Sequence, residues 1–506
     1  MLWSVMREAA NRATRDAIRF RRRGRIVELT GFHPRSTLLD YLRLVEGSVG
    51  TKEGCAEGDC GACTVALGRV KGGRFAFEPV CACILLLGQV DGAELVTVED
   101  LAADGALHPV QTALAEHHGS QCGFCTPGIV MSLFALYQEG ARPVTREAVT
   151  DALAGNLCRC TGYRPIVDAA LLACAEPPDD RFARSRAGTA AAVAGLADGA
   201  DLFFSEGTRL FAAPASEDAL AALYAEHPDA TLVDGCTDVG LWITKGLAEI
   251  DKVIWLGRVA GLDRLEDGPD ALRIGAAVTH ADAHGALAGI DPDLGELLRR
   301  FGAWQVRAAG TVGGNLANGS PIGDLAPALI ALGSELDLRR GDRVRTLPLE
   351  NFFLAYRRQD RAPGEFVRGV TVPSLPEGEV FRCFKVTKRF DEDISAVMGA
   401  FKFTLDGRRI AAARAAYGGM AATPRRAGTA EAALVGASLD DPTTWNPALD
   451  ALRSDFEPLN DQRASAAYRG LVARNVLLKA LTEVASGDQA VTRLVGFRPA
   501  LPMAAE

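Results

Sequence analysis

The sequence has no long hydrophobic run. Its longest apolar stretches, "CACILLLG" and "ALIALG", stop far short of the ~20 residues that a membrane-crossing helix needs. It has no excess of positive charge: 55 Lys and Arg face 64 Asp and Glu, and a net charge of −9 argues against a nucleic-acid partner. Its opening residues lead us to expect no secretory signal peptide. The first residues, "MLWSVMREAANRATRDAIRFRRR", are Arg-rich like a transit peptide, but Glu8 and Asp16 do not suit one. The expectation is that residues 1–16 are an extension from an upstream start, with the fold beginning near Ala17. Finally, no G-x-G-x-x-G follows a strand and opens a helix, so a Rossmann dinucleotide site is not supported.

What remains is a chain of 506 residues, 48% apolar and 24% charged. That composition is globular, and the length calls for three or four domains rather than one core. Ten of the twelve cysteines lie before residue 175. In a long chain without a secretory signal this favours metal ligands in a reducing cytoplasm over a disulfide scaffold.

Read along the chain, "AIRFRRRGRIVELTGFHP" alternates around Arg23-Gly24 and predicts a hairpin. "STLLDYLRLVEG" predicts a helix capped by Ser36 or Thr37. A Cys-rich loop and two short strands complete a small α/β roll, ending near residue 98. Residues 99–176 turn helical, with Thr126 and Pro127 opening one helix and Pro165 another, and read as two facing helical hairpins. A Pro-, Ala- and Gly-rich stretch follows as a linker. Mixed α/β sequence then runs to about 378, and an α+β segment to about 495.

The Cys-rich loop is "GCAEGDCGACT", Gly54 to Thr64, with Cys55, Cys60 and Cys63 spaced C-x4-C-x2-C. Its glycines let backbone N–H groups turn inward. With a distant fourth Cys this is the plant-ferredoxin spacing, which indicates [2Fe–2S]; N–H···S contacts help set the potential of such a cluster. A structural zinc loop is the alternative, although zinc more often pairs C-x2-C with another C-x2-C. The fourth ligand is Cys81 or Cys83, expected on opposite faces of a strand, and spacing alone does not choose. A second set, Cys122-x2-Cys125 and Cys158-x-Cys160, opens two helices and suits either zinc or a second cluster. Cys174, Cys236 and Cys383 read as small buried hydrophobes.

Two Gly-rich stretches stand out downstream. "TLVDGCTDVG" (231–240) is an apolar strand entering a small polar turn, and "GTVGGNLANGSPIGD" (310–324) holds five glycines among Thr, Asn and Ser donors. Such loops admit a pyrophosphate against backbone N–H groups, and they also serve as plain structural turns.

"GCAEGDCGACT", "GSQCGFCTPG" and "GNLCRCTGYRPI", in this order, closely resemble the iron–sulfur segments of the xanthine dehydrogenase and molybdenum hydroxylase family. The resemblance covers nearly the whole chain from about residue 17 and is nearest to the small, iron–sulfur/FAD subunit of two-subunit bacterial members. It implies a multidomain α+β protein. An N-terminal extension (1–16) precedes a ferredoxin-like β-grasp domain (17–98) and an all-α four-helix [2Fe–2S] domain (99–176). A linker (177–204), a non-Rossmann α+β FAD-binding domain (205–378), a C-terminal α+β flavoprotein domain (379–495) and a tail (496–506) follow. It puts the fourth ferredoxin ligand on Cys83, because the family has an "NAC" stretch where this chain has "CAC". It makes Cys122, Cys125, Cys158 and Cys160 ligands of a second [2Fe–2S] cluster, with Gln121 and Cys160 approaching the partner's pterin.

The same resemblance lays Leu232, Val233, Asp234, Gly235, Cys236, Thr237, Asp238 and Val239 along the FAD diphosphate and ribityl chain. It makes Thr311, Val312, Gly313, Gly314 and Asn315 the second flavin loop, with Asp324, Phe301, Val367 and Lys385 as further contacts. Read from sequence alone, Phe301 is equally a core aromatic and Lys385 a solvated surface lysine. "KRFDEDISAV" (388–397) resembles a family loop near the isoalloxazine ring that influences NAD+ access.

No region of the chain is left for a molybdopterin domain, so the resemblance implies a molybdenum cofactor on a partner subunit, in a heterotetramer. No catalytic residue is assigned to this chain. Electrons from oxidation of hypoxanthine and xanthine to urate would pass through both clusters and FAD to NAD+, in the cytoplasm, with neither nucleic acid nor membrane involved. Oxidation of aldehydes or other N-heterocycles by a related enzyme is the nearest alternative. A non-catalytic zinc and nucleotide scaffold is the alternative of another class.

Overall fold

The computed structural model describes residues 13–140, 143–488 and 492–493; residues 1–12 of the expected extension and the expected tail (496–506) lie outside these. The chain divides into two compact units. Of the described residues, the first comprises those up to 260 together with 303–310, and the second comprises 261–302 and those from 311 on.

The first unit opens on a five-stranded mixed sheet in the spatial order Arg25–Leu29, Ile18–Arg22, Glu94–Val96, Thr64–Lys71, Arg74–Cys81. The first two strands form the expected hairpin. Arg23 (φ 49°) and Gly24 (φ 77°) both take positive φ, the two-residue turn that matches strand twist. Thr37 caps the following helix, its hydroxyl accepting the Asp40 N–H at 3.1 Å.

Four helices come next: Pro109–Glu116, Thr126–Glu139, Arg146–Leu153 and Arg164–Ala173. Thr126 does not cap the second of them. It is the first helical residue, and its hydroxyl meets Ser120 at 2.7 Å. Helix Thr126–Glu139 is apolar nearly all round and becomes the centre of a core that includes Phe77 of the sheet. Ring centroids lie 5.2 Å apart for Phe77 and Phe134 and 4.9 Å apart for Phe134 and Phe182.

Phe182 belongs to a segment expected to be a linker. Residues Arg181–Ala194 form a helix instead, capped by Asp180, which accepts the Ala183 N–H at 2.7 Å. Phe182, Thr189 and Val193 give it a narrow buried stripe, enough to dock a helix whose composition otherwise suggests a spacer. The expected start near Ala17 also moves. Thr14–Arg15 pairs in parallel with strand Asp201–Glu206, and the Arg15 guanidinium grips the buried Asp91 carboxylate at 2.5 and 2.8 Å. A bidentate pair of this kind holds residues 14 and 15 in the fold. That second sheet runs Thr14–Arg15, Asp201–Glu206, Arg209–Ala213, Lys252–Trp255, Thr231–Val233.

The second unit holds an antiparallel five-stranded sheet (Leu265–Asp267, Ala271–Gly275, Phe366–Pro373, Glu335–Arg340, Arg343–Pro348). It also holds an antiparallel four-stranded sheet (Glu379–Val386, Val397–Asp406, Arg409–Gly418, Arg425–Arg426). Helix Leu325–Leu332, wholly buried, lies in a core to which both sheets contribute, among them Ile274 and Val370 of the first and Met398 and Ala416 of the second. Helix Ala466–Ser486 packs on the second. Among the described residues no helix is long and apolar enough to cross a membrane.

Candidate iron–sulfur and flavin sites

The loop after Gly54 curls tightly because Ala56, Gly58 and Gly61 take φ of 56°, 77° and 67°. The curl aims backbone donors at sulfur: the N–H groups of Glu57 and Cys60 reach Cys55 Sγ at 3.4 and 3.3 Å. Space is equally tight. A Cβ on Gly54 would lie 2.8 Å from Cys60 Sγ.

The structure brings Cys55, Cys60, Cys63 and Cys83 together. Cys63 Sγ and Cys83 Sγ are 3.2 Å apart. Cys60 and then Cys83 act on the Cys55 thiol and hold its pKa far below the ordinary thiol value. Cys55 in turn raises Cys60 and Cys83. Four cysteine sulfurs gathered in a tight loop and the adjoining turn, with backbone N–H groups aimed at Cys55 Sγ, fit an iron–sulfur cluster. Cys81 also lies close enough to Cys63 to raise it. Its own Sγ meets the Gly58 carbonyl at 3.6 Å. The two candidates are not on opposite faces of one strand, because the strand ends at Cys81 and Cys83 lies in the turn beyond it.

The second set forms two sulfur pairs. Cys122 acts on Cys160, raising it, while Cys125 meets Cys158. Burial first, then Cys158, pushes the Cys125 thiol up to about 12. Burial alone would raise Cys158 as well, but the Thr161 hydroxyl, 3.2 Å from its Sγ, and the Thr161 and Cys160 N–H groups hold it below the ordinary thiol value. Cys122 and Cys160 are exposed, Cys125 and Cys158 half-buried. Gln121 donates to the Cys160 carbonyl at 3.1 Å. Among the described residues no three His, Cys, Asp or Glu side chains converge on a single-ion position. The sulfurs come in pairs, which suits four thiolates shared between two irons.

The two cysteine sets meet through backbone. The Leu157 N–H, one residue before Cys158, donates to the Cys60 carbonyl at 3.0 Å. Asn156 Nδ2 donates to the Gly61 carbonyl at 3.1 Å. Buried Gln305 donates to Ser132 Oγ and Asn156 Oδ1, both at 3.0 Å. Sequence reading missed all three. Asn156 stands beside Cys158 in "GNLCRC" and was open to notice, whereas nothing local marks Gln305.

In the first unit, strand Thr231–Val233 runs into the turn 234–238 and helix Val239–Thr244. Gly235 is required there: a Cβ would lie 2.0 Å from the Ala309 carbonyl oxygen. Cys236 takes φ 61° and is buried, which pushes its thiol up to about 12. Gln89 donates to the Asp234 carbonyl.

The other flavin candidates lie in the second unit. Thr311 caps helix Val312–Asn318, its Oγ1 accepting the Gly314 N–H at 3.2 Å. A Cβ on Gly313 would lie 2.5 Å from Ala276 Cα. Asn315 closes the first turn on Thr311, its N–H 2.9 Å from the Thr311 carbonyl. Phe301 is half-buried, its ring centroid 4.3 Å from that of His280, and Val367 lies in the sheet core. Lys385 is no surface lysine: it is buried and bonded to Asp324. Thr387 and the loop after it are held by Arg300, which donates to the Lys385 and Phe390 carbonyls at 3.2 and 2.9 Å and stacks on the Phe390 ring at 4.4 Å.

Comparison with known proteins agrees with these two kinds of site. Residues 205–375 match the FAD binding domain in molybdopterin dehydrogenase, 97–171 a [2Fe–2S] binding domain, and 382–484 the CO dehydrogenase flavoprotein C-terminal domain. The chain is 33% identical over 500 residues to a xanthine dehydrogenase of Emericella nidulans, covering 87% of this chain and 36% of that protein. It is 32% identical over 440 residues to mouse xanthine dehydrogenase/oxidase, covering 77% and 33%. It thus spans about a third of the length of these curated relatives. Among solved structures, quinoline 2-oxidoreductase from Pseudomonas putida 86 superposes with a TM-score of 0.51 at 25% identity, over 57% of this chain and 99% of that one. The chain carries the [2Fe–2S]-binding and FAD-binding domains of the molybdenum hydroxylase family.

Proposed function

We propose that this chain is the iron–sulfur/FAD subunit of a xanthine dehydrogenase, relaying electrons from a molybdenum centre on a partner subunit to NAD+ in a heterotetramer. The observation that carries the reading is the grouping of eight thiols into two sets whose backbones touch at Leu157 and Cys60. When bound, the clusters each carry one electron, and FAD takes up two and releases them together as hydride.

The chain's own residues bind and tune. Cys55, Cys60, Cys63 and Cys83 would hold the first cluster, and the Glu57 and Cys60 N–H groups, directed at Cys55 Sγ, would raise its potential. Cys122, Cys125, Cys158 and Cys160 would hold the second. The exposure of Cys122 and Cys160 suits the side facing a partner, and Gln121 fixes the Cys160 peptide. Leu232–Val239 would lie along the FAD diphosphate and ribityl chain; Thr311–Asn315, where the N–H groups of Val312 to Asn315 are bonded within the fold, would form the second flavin loop, with Phe301, Asp324, Val367 and Lys385 as further contacts. Arg300 holds Phe390 in the 388–397 loop, which would influence NAD+ access.

The test is co-purification with the neighbouring subunit from the native host, followed by assay with hypoxanthine, xanthine and aldehydes. NAD+ reduction by the purines supports the reading, and activity on aldehydes alone moves it to another molybdenum hydroxylase. Cys60→Ser should remove one cluster signal while FAD stays bound; undiminished NAD+ reduction by that variant contradicts the relay.

A further inference from the structure

One peptide plane joins the helix after the first flavin loop to a cluster ligand. The Ala56–Glu57 peptide presents its N–H to Cys55 Sγ at 3.4 Å and its carbonyl to the Thr244 hydroxyl at 2.6 Å. N–H and C=O point opposite ways from one rigid plane, so fixing the oxygen fixes the direction of the hydrogen. Ala56 lacks the freedom of glycine at its φ of 56°, a region costly for a side-chain-bearing residue, so this orientation needs external support. Thr244 supplies it from nearly two hundred residues away. A hydrogen bond accepted by the carbonyl also polarises the peptide and strengthens its N–H as a donor.

The helix is placed for this. At Gly240, four residues before Thr244, a Cβ would lie 2.5 Å from the Ile84 carbonyl oxygen, so glycine there lets the helix close onto the residue after Cys83. Thr244 Oγ1 also lies 3.0 Å from the Gly240 carbonyl, and the shorter contact is to Ala56. Lys245 and Glu57 add an exposed pair at 3.7 Å.

We infer that Thr244 is a positioning residue that sets the reduction potential of the first cluster through the Ala56–Glu57 peptide, coupling the flavin-loop helix to that cluster. The inference rests on the reading of Cys55 as a cluster ligand. Hydrogen bonds to sulfur stabilise the more negative, reduced cluster. Loss of the Thr244 hydroxyl therefore lowers the potential.

The experiment is a redox titration of the assembled enzyme, following each cluster's electron paramagnetic resonance signal, in the parent, Thr244→Val and Thr244→Ser. Thr244→Val keeps the shape and removes the donor, while Thr244→Ser keeps the donor. The expected result is a fall in the first cluster's reduced-to-oxidised ratio of up to about tenfold in Thr244→Val, equivalent to ~59 mV for one electron. The second cluster stays unchanged and Thr244→Ser remains at the parent value. Selective loss of the first signal in Thr244→Val, restored in Thr244→Ser, equally supports the role. An unshifted first cluster in Thr244→Val, or equal shifts in both variants, overturns it. A parent enzyme with no cluster signal that depends on Cys55 overturns the underlying reading instead.

Discussion

Asp324 and Lys385 form a buried ion pair, Oδ2 to Nζ 2.5 Å, with side chains only 4% and 3% exposed. The Ser395 hydroxyl donates to the other carboxylate oxygen at 2.5 Å. Both charges have lost their water, and each depends on the other for compensation. Lys385→Met leaves the Asp324 charge buried and unpaired, and should cost about 3–5 kcal/mol in equilibrium denaturation. Adding Asp324→Leu removes the stranded charge and should recover most of that loss. A single variant as stable as the parent would show the pair to be energetically idle.

Gly235→Ala and Gly313→Ala place a methyl group 2.0 Å from the Ala309 carbonyl oxygen and 2.5 Å from Ala276 Cα. Neither neighbour is the end of a flexible side chain, so each loop must shift. Purified variants should keep their iron and lose flavin absorbance. Full flavin occupancy in both would remove these loops from the binding account.

Cys83→Ser should abolish the first cluster's signal, because Cys83 contacts both Cys63 and Cys55. Cys81→Ser should retain it, because Cys81 Sγ, though near Cys63, meets the Gly58 carbonyl at 3.6 Å. The reverse pattern exchanges their roles.

Asp291 provides a pH signature. Burial first, then the neighbouring Asp293, raises its carboxyl from the ordinary 3.8 to about 7, against opposing effects from Arg382 and Arg493. A carboxyl raised in the fold keeps its proton there. Its contribution is therefore most favourable below 3.8, is lost as pH rises, and levels off above about 7. Asp291→Asn stays neutral throughout, so its stability relative to the parent should improve by roughly 2–4 kcal/mol between pH 4 and pH 8. Parallel stability–pH curves for the two proteins would contradict this.

Much of the fold was legible because the signals were local. The Arg23-Gly24 turn, the prolines opening helices and the cysteine spacings each act within a few residues. What escaped depends on distant partners. Helix Arg181–Ala194 looks like a spacer until Phe182 meets Phe77 and Phe134. Arg15 is an ordinary charged residue until Asp91 is seen beside it, and Lys385 an ordinary lysine until Asp324 is. Gln305 and Thr244 carry no motif; each matters through one hydrogen-bonding side chain reaching a loop more than a hundred residues away.

The central claim is that this one chain holds two iron–sulfur clusters together with a flavin. Metal and flavin analysis combined with electron paramagnetic resonance of the reduced enzyme tests it most directly. The account predicts four irons per chain, two for each [2Fe–2S] cluster, one FAD, and two inequivalent signals. Cys60→Ser should remove one signal and Cys158→Ser the other. Zinc in place of iron, or a single signal that survives both substitutions, would contradict it.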